Sequence, residues 1–78
     1  MDTFLDFAEA EKAKAVGQMV CGTLLKDGSP AYFLLAADTA DADVREVAFS
    51  VREGRQMSDY ERLLLQQAEL LRSSGVPA

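Results

Sequence analysis

The chain has 78 residues and a net charge of −5, with thirteen acids against eight bases, one cysteine and no histidine. This length makes a single small domain, whose core supplies only a few kcal/mol of net stability unless a disulfide, a metal or a partner adds to it. One cysteine excludes an internal disulfide, and the absence of histidine removes the usual catalytic base and metal ligand.

Residues 3–16 (TFLDFAEAEKAKAV) predict a first helix. Thr3 fits the N-cap, with Asp6 three residues later. Asp6, Glu9 and Glu11 precede Lys12 and Lys14, so the order of charge matches the helix dipole. Beyond Phe7 the apolar side is mostly alanine, and Gly17 is a natural terminator.

Residues 18–26 (QMVCGTLLK) and 31–37 (AYFLLAA) flank Asp27-Gly28-Ser29-Pro30. An Asp-Gly pair between two apolar runs predicts a β-hairpin, and Pro30 interrupts strand pairing. A rival reading continues the first helix to Lys26, because Val16, Met19, Val20 and Leu24 recur at helical spacing. Gly17 and Gly22 would each cost about 1 kcal/mol inside that helix, which ranks it second.

Residues 38–43 (DTADAD) form a polar loop. Residues 44–52 (VREVAFSVR) satisfy two templates. Val47, Phe49 and Val51 alternate as in a strand, whereas Val44, Val47, Ala48 and Val51 fit a helix. Their β-branched and aromatic content favours the strand.

Residues 58–73 predict the last helix. Ser58 at the N-cap and Glu61 at N3 make a capping box. Asp59 and Glu61 sit at the positive end of the dipole and Arg72 at the other, and Ser73, Ser74, Gly75 and Pro77 stop the helix. At 100° per residue its apolar side spans roughly 160°, wider than one packing contact requires. Tyr60, Leu64, Ala68 and Leu71 are assigned to the domain's own core. Leu63, Leu70, the intervening Gln67 and, further round, Leu65 are then left for another chain; the alternative is a helix lying across the sheet with its whole arc, Leu65 alone being exposed. Tyr60, Leu63, Gln67 and Leu70 also keep a heptad a/d rhythm, over two heptads only.

The expected fold is α+β, in the order α–β–β–β–α, with a three-stranded antiparallel sheet and both helices on one face. In element order alone it is similar to the double-stranded-RNA-binding modules, which bind through a lysine cluster at the start of the second helix. That place holds Ser58, Asp59 and Glu61 here, so the RNA-binding role is not carried over.

The candidate sites point away from catalysis. Cys21, with no histidine to activate it, reads as a small buried residue. Asp38, Asp41 and Asp43 are the densest carboxylates, but counting from Asp38 the calcium-loop glycine and terminal glutamate positions hold Asp43 and Phe49. They read as a solvated turn. Arg45, Arg52 and Arg55 either grip an acidic partner or pair with Glu46, Glu53 and Glu61, and surface pairing is favoured. Gly17, Gly22 and Gly28 match no nucleotide-binding fingerprint.

Residues 1–43 carry eight acids against three lysines, and residues 44–78 five acids against five arginines. An acidic half repels phosphate backbones, so direct nucleic-acid binding is not expected. The same acids (Asp2, Asp6, Glu9, Glu11, Asp38, Asp41, Asp43) offer a phosphate-like array for a nucleic-acid-binding protein.

The sequence therefore predicts a non-enzymatic interaction protein, a regulator or inhibitor of the kind common in bacteria and phages, acting by binding another protein. Its expected contact residues are Leu63, Leu65, Gln67 and Leu70, the acids Glu9, Glu11, Asp38, Asp41 and Asp43, and Arg52 and Arg55. The alternative is a structural homo-oligomer, a homodimer first, built on the last helix. No cofactor, metal, membrane or small-molecule substrate is expected. One cysteine and no apolar run long enough to span a bilayer fit the cytoplasm.

Overall fold

A computed structural model describes residues 3–73. The elements are α1 (Phe7–Ala13), β1 (Gln18–Leu24), β2 (Pro30–Ala36), α2 (Asp41–Glu53) and α3 (Asp59–Ser73). The fold is α+β, with three helices and one two-stranded antiparallel sheet.

The hairpin forms where the Asp-Gly pair predicts it. The Gly28 N–H donates to the Leu25 carbonyl at 2.9 Å, and the Leu25 N–H donates to the Ser29 carbonyl at 2.8 Å. The loop is thus Lys26, Asp27 and Gly28, with Gly28 at φ +87°. A tight turn closed by a left-handed residue matches the strand twist, and glycine takes that conformation without strain. The Asp27 carboxylate accepts from the Ser29 N–H at 2.9 Å, which holds its carboxyl below the ordinary range. The turn sets the register, with Cys21 opposite Phe33 and Met19 opposite Leu35.

That register sorts the side chains by strand alternation. Cys21, Ala31, Phe33 and Leu35 join Val47 and Val51 of α2 and Leu64 of α3 in one buried cluster. Tyr32 and Leu34 alternate to the other face, where the Phe7 ring of α1 meets Tyr32 edge-on at 5.6 Å and Ala10 is fully buried. Helices therefore cover both faces of the sheet, which corrects the expectation that they share one.

The largest correction concerns residues 44–52, which are helical rather than a third strand. A strand would turn Val47, Phe49 and Val51 to one side. In α2, Val47 and Val51 are buried, Val44 and Ala48 pack beside them, and Phe49 is 49% exposed. The 3.6-residue period outweighs β-propensity because it alone puts four apolar residues on the sheet. Asp41 and Asp43 in the first turn and Arg52 in the last favour the dipole. Gly54, at φ +64°, ends the helix by donating its N–H to the Ser50 and Val51 carbonyls. The order is thus α–β–β–α–α, and the likeness in element order to the RNA-binding modules goes with the third strand.

The first helix is shorter than 3–16. Asp6, not Thr3, is the N-cap, its carboxylate accepting from the Ala8 N–H at 2.9 Å. Phe4 is extended and exchanges two backbone hydrogen bonds with Tyr32, at 2.8 and 2.7 Å. Two ladder bonds hold residues 3–5 out of the helix and against the β2 edge. At the other end Lys14 is already extended. Gly17, at φ +86°, serves the turn into β1 rather than ending the helix.

Gln18 secures that turn to α3. Its side chain is buried, accepting from the Ala15 N–H at 2.8 Å and donating to the Ala68 carbonyl at 2.6 Å. The rival reading of 18–26 as a continued helix is excluded by the paired strand.

Candidate interaction surface

Three buried residues orient α3. Leu64 and Ala68 face the core, and Glu61, on the same arc of the helix, is only 5% exposed. Only half of the expected capping box forms. The Ser58 hydroxyl accepts from the Glu61 N–H at 3.2 Å, but the Glu61 carboxylate is used elsewhere.

It reaches α2 instead. The Ser50 hydroxyl, itself 1% exposed, donates to Glu61 Oε2 at 2.5 Å. Arg55 Nε donates to the same hydroxyl oxygen at 2.9 Å, and its Nη2 lies 3.6 Å from Glu61 Oε1 and 3.6 Å from Glu46 Oε2. The guanidinium also stacks 4.7 Å above the Phe49 ring. A buried carboxylate is tolerated when its lone pairs are satisfied and a cation is near. The cluster thus ties the C-terminal end of α2 to the first turn of α3. The arginines are accordingly not a common grip. Arg55 is structural, Arg52 is exposed on α2, and Glu53 pairs with Lys26 at 3.3 Å.

With its buried arc fixed, α3 turns Tyr60 (54% exposed), Leu63 (47%) and Leu70 (62%) to solvent, with Gln67 exposed between them. Tyr60 was expected in the core and lies outside it, on the heptad stripe with Leu63, Gln67 and Leu70. Leu65 shifts the other way and packs partly against the core. Together with Met57, Arg62, Gln66 and Glu69 it lines an open groove on the opposite flank of the helix. Leu71 is half-buried.

Carboxylates border the stripe. The Tyr60 hydroxyl donates to Asp43 Oδ2 at 2.6 Å, which places the first turn of α2 at its upper end. Asp38 lines a depression with Gln67, Leu71, Gly17, Ala36 and Ala37. Asp59 sits one turn before Leu63 on α3, exposed. Asp41 shares the first turn of α2. Thus Leu63, Gln67, Leu70, Asp38 and Asp43 belong to one side of the molecule, whereas Asp41 points about 200° round α2 from Asp43. Glu9 and Glu11 do not: they are exposed on α1, across the sheet, and Glu11 pairs with Lys14 at 3.8 Å. Arg52 lies about 14 Å along the α2 axis from Asp43, and Arg55 follows the Gly54 cap beyond the end of that helix. Asp2 and the expected stop at 74–78 fall outside the described residues.

The Tyr60–Asp43 bond has a measurable signature. It pushes the phenol above the ordinary tyrosine value, chiefly because ionisation would break the donated hydrogen bond. The folded value is raised, so the bond contributes below the ordinary tyrosine pKa and is lost as pH rises through the raised one. Ultraviolet titration of a Tyr32→Phe background should find Tyr60 ionising above the ordinary value, and Asp43→Asn should bring it back down.

Chemistry is otherwise sparse. The buried Cys21 thiol is pushed up by desolvation, the reverse of an activated nucleophile. Among the described residues no group of three acids or cysteines could hold a metal ion, and no helix is long and apolar enough to cross a membrane. Comparison with protein-family models, curated proteins and solved structures gives no match to this chain.

The pairing of Arg55 with Glu46 and Glu61 follows the sequence expectation, whereas Gln18, Ser50 and the burial of Glu61 against Ser50 were missed. A signal for the last was available: on the wheel Glu61 falls between Ala68 and Leu65, inside the buried arc, where a carboxylate needs an internal partner.

Proposed function

We propose that the protein is a non-enzymatic interaction module that regulates or inhibits another protein by binding it through the outward stripe of α3. The observation that carries this reading is the stripe itself. Tyr60, Leu63 and Leu70 stand exposed in line on a helix whose other side is already anchored by Leu64, Ala68 and Glu61. Large apolar residues exposed together, rather than singly, mark contact surfaces on small domains. A chain without histidine and with a buried, unactivated thiol offers contact in place of catalysis. The unpaired Cys21 suits the reducing cytoplasm.

A nucleic-acid-mimicking surface is less well supported, since Glu9 and Glu11 sit across the sheet from Asp38, Asp41 and Asp43. The second reading is a homodimer along the same stripe, favoured by its a/d rhythm. Leu63→Glu with Leu70→Glu separates these. If the stripe binds a foreign protein, the wild type sediments as a monomer and retains a protein from native-host lysate that the double variant loses. A wild-type dimer that the double variant splits establishes the second reading. A monomer whose retained proteins are the same with and without the two substitutions rejects both.

A further inference from the structure

The stripe and its borders differ in kind, and the difference specifies a partner. Along α3 the Tyr60-Leu63-Gln67-Leu70 line runs for about 15 Å, at 1.5 Å per residue. The depression lined by Gln67, Leu71, Ala36, Ala37 and Asp38 lies beside it. Asp43 stands at the tip of Tyr60, Asp38 flanks Gln67 and Asp59 precedes Leu63. None of these three carboxylates has an ion-pair partner among the described residues.

We propose that the α3 stripe receives an amphipathic helix of another protein whose apolar anchors are flanked by lysine or arginine. This rests on the reading of α3 as a protein-binding face and adds the chemistry of what it binds. A helix is the fitting occupant because a ridge at i, i+3, i+7 and i+10 meshes with the same spacing on a facing helix at shallow crossing angles. The charge follows from the border. Unneutralised carboxylates beside an apolar contact favour a partner that brings cations and disfavour acidic ones, acting on encounter rate and specificity. A second copy of this chain is the poorer occupant, since its own stripe brings the same carboxylates. Arg62, the described cation of α3, lies on the opposite flank in the Leu65 groove.

The test uses the full chain and three synthetic peptides of about eighteen residues, long enough to form a helix on binding. One carries leucines at i, i+3, i+7 and i+10 with flanking lysines. The second has glutamate for each lysine, and the third is the lysine peptide scrambled. Amide chemical-shift mapping should show the lysine peptide perturbing Tyr60, Leu63, Gln67, Leu70, Asp38 and Asp43. The glutamate and scrambled peptides should bind roughly tenfold more weakly or not at all. Leu63→Glu should weaken the lysine peptide roughly thirtyfold, as a central anchor does. Asp38→Asn with Asp43→Asn should weaken it less and flatten its salt dependence. Equal binding of the lysine and glutamate peptides, diffuse perturbation of the acidic surface, or no binding of the lysine peptide would overturn the proposal. In each of these cases a lysate protein still lost with Leu63→Glu and Leu70→Glu keeps α3 as a binding face of other chemistry. No such loss removes both.

Discussion

Phe33→Ala should leave the protein largely unfolded at room temperature. Phe33 is fully buried at the centre of the sheet, opposite Cys21, among Leu35, Val47, Val51 and Leu64. Truncating a buried phenylalanine costs about 3–5 kcal/mol, because the lost transfer energy is joined by an unfilled cavity. The core of a chain this size rarely supplies more than about 3–5 kcal/mol of net stability. Relaxation is restricted here, since α2 and α3 are already tied by the Ser50–Glu61–Arg55 cluster and cannot settle freely into the space. Urea denaturation followed by circular dichroism should place the midpoint close to zero denaturant. Phe33→Leu, which keeps most of the volume, should retain a cooperative transition.

The second large effect is expected at Glu61. Glu61→Ala should cost about 2–3 kcal/mol, the range for losing a buried hydrogen bond to a charged group and leaving its partner unsatisfied. The cost falls on Ser50, whose buried hydroxyl loses its acceptor, more than on Arg55, which is about half exposed and keeps Glu46 and water. Glu61→Gln keeps an acceptor and should cost less. Ser50→Ala combined with Glu61→Leu should recover part of the loss, because removing both polar partners together abolishes the desolvation penalty. A double-mutant cycle in urea measures this coupling. Were Glu61 only a capping residue at a helix start, Glu61→Ala would cost well under 1 kcal/mol and would not couple to Ser50 at all.

These two residues also show where the sequence speaks and where it falls silent. The Asp27-Gly28 turn and the Ser58 cap are local chemistry, decided within four residues, and the structure has both. Whether 44–52 is a strand or a helix is not local. Both periods are present in VREVAFSVR, and the choice depends on whether Phe49 or Val44 and Ala48 meet the sheet, a contact made across the chain. Gly54 and the Asp41–Asp43 pair favoured the helix, as stop and start signals outside the window in which propensity was weighed. The start of α1 was likewise settled at a distance, by the Phe4 backbone bonds to Tyr32.

On α3 the heptad line was legible but its division was not. Glu61 is the reason. As a capping residue it placed the centre of the buried arc near Tyr60 and Leu64. Buried against Ser50, it rotates that centre toward Ala68 and Leu65 and releases Tyr60 to solvent. One misassigned carboxylate therefore exchanged the roles expected for Tyr60 and Leu65, while Leu63, Gln67 and Leu70 stayed outside as predicted from the wheel.

The division of α3 into a core side and a free stripe is what the functional reading stands on, and a paired unfolding measurement tests it most directly. Leu63→Glu and Leu64→Glu put the same carboxylate on adjacent residues of one helix, one 47% exposed and the other 8%. Urea melts of both, at one protein concentration, should show Leu63→Glu unfolding within about 0.5 kcal/mol of wild type. Leu64→Glu should have no folded baseline, because a carboxylate beside Phe33 and Val47 has no partner. Equal and severe destabilisation by the two substitutions would place Leu63 in the core and leave α3 without a free stripe to bind anything.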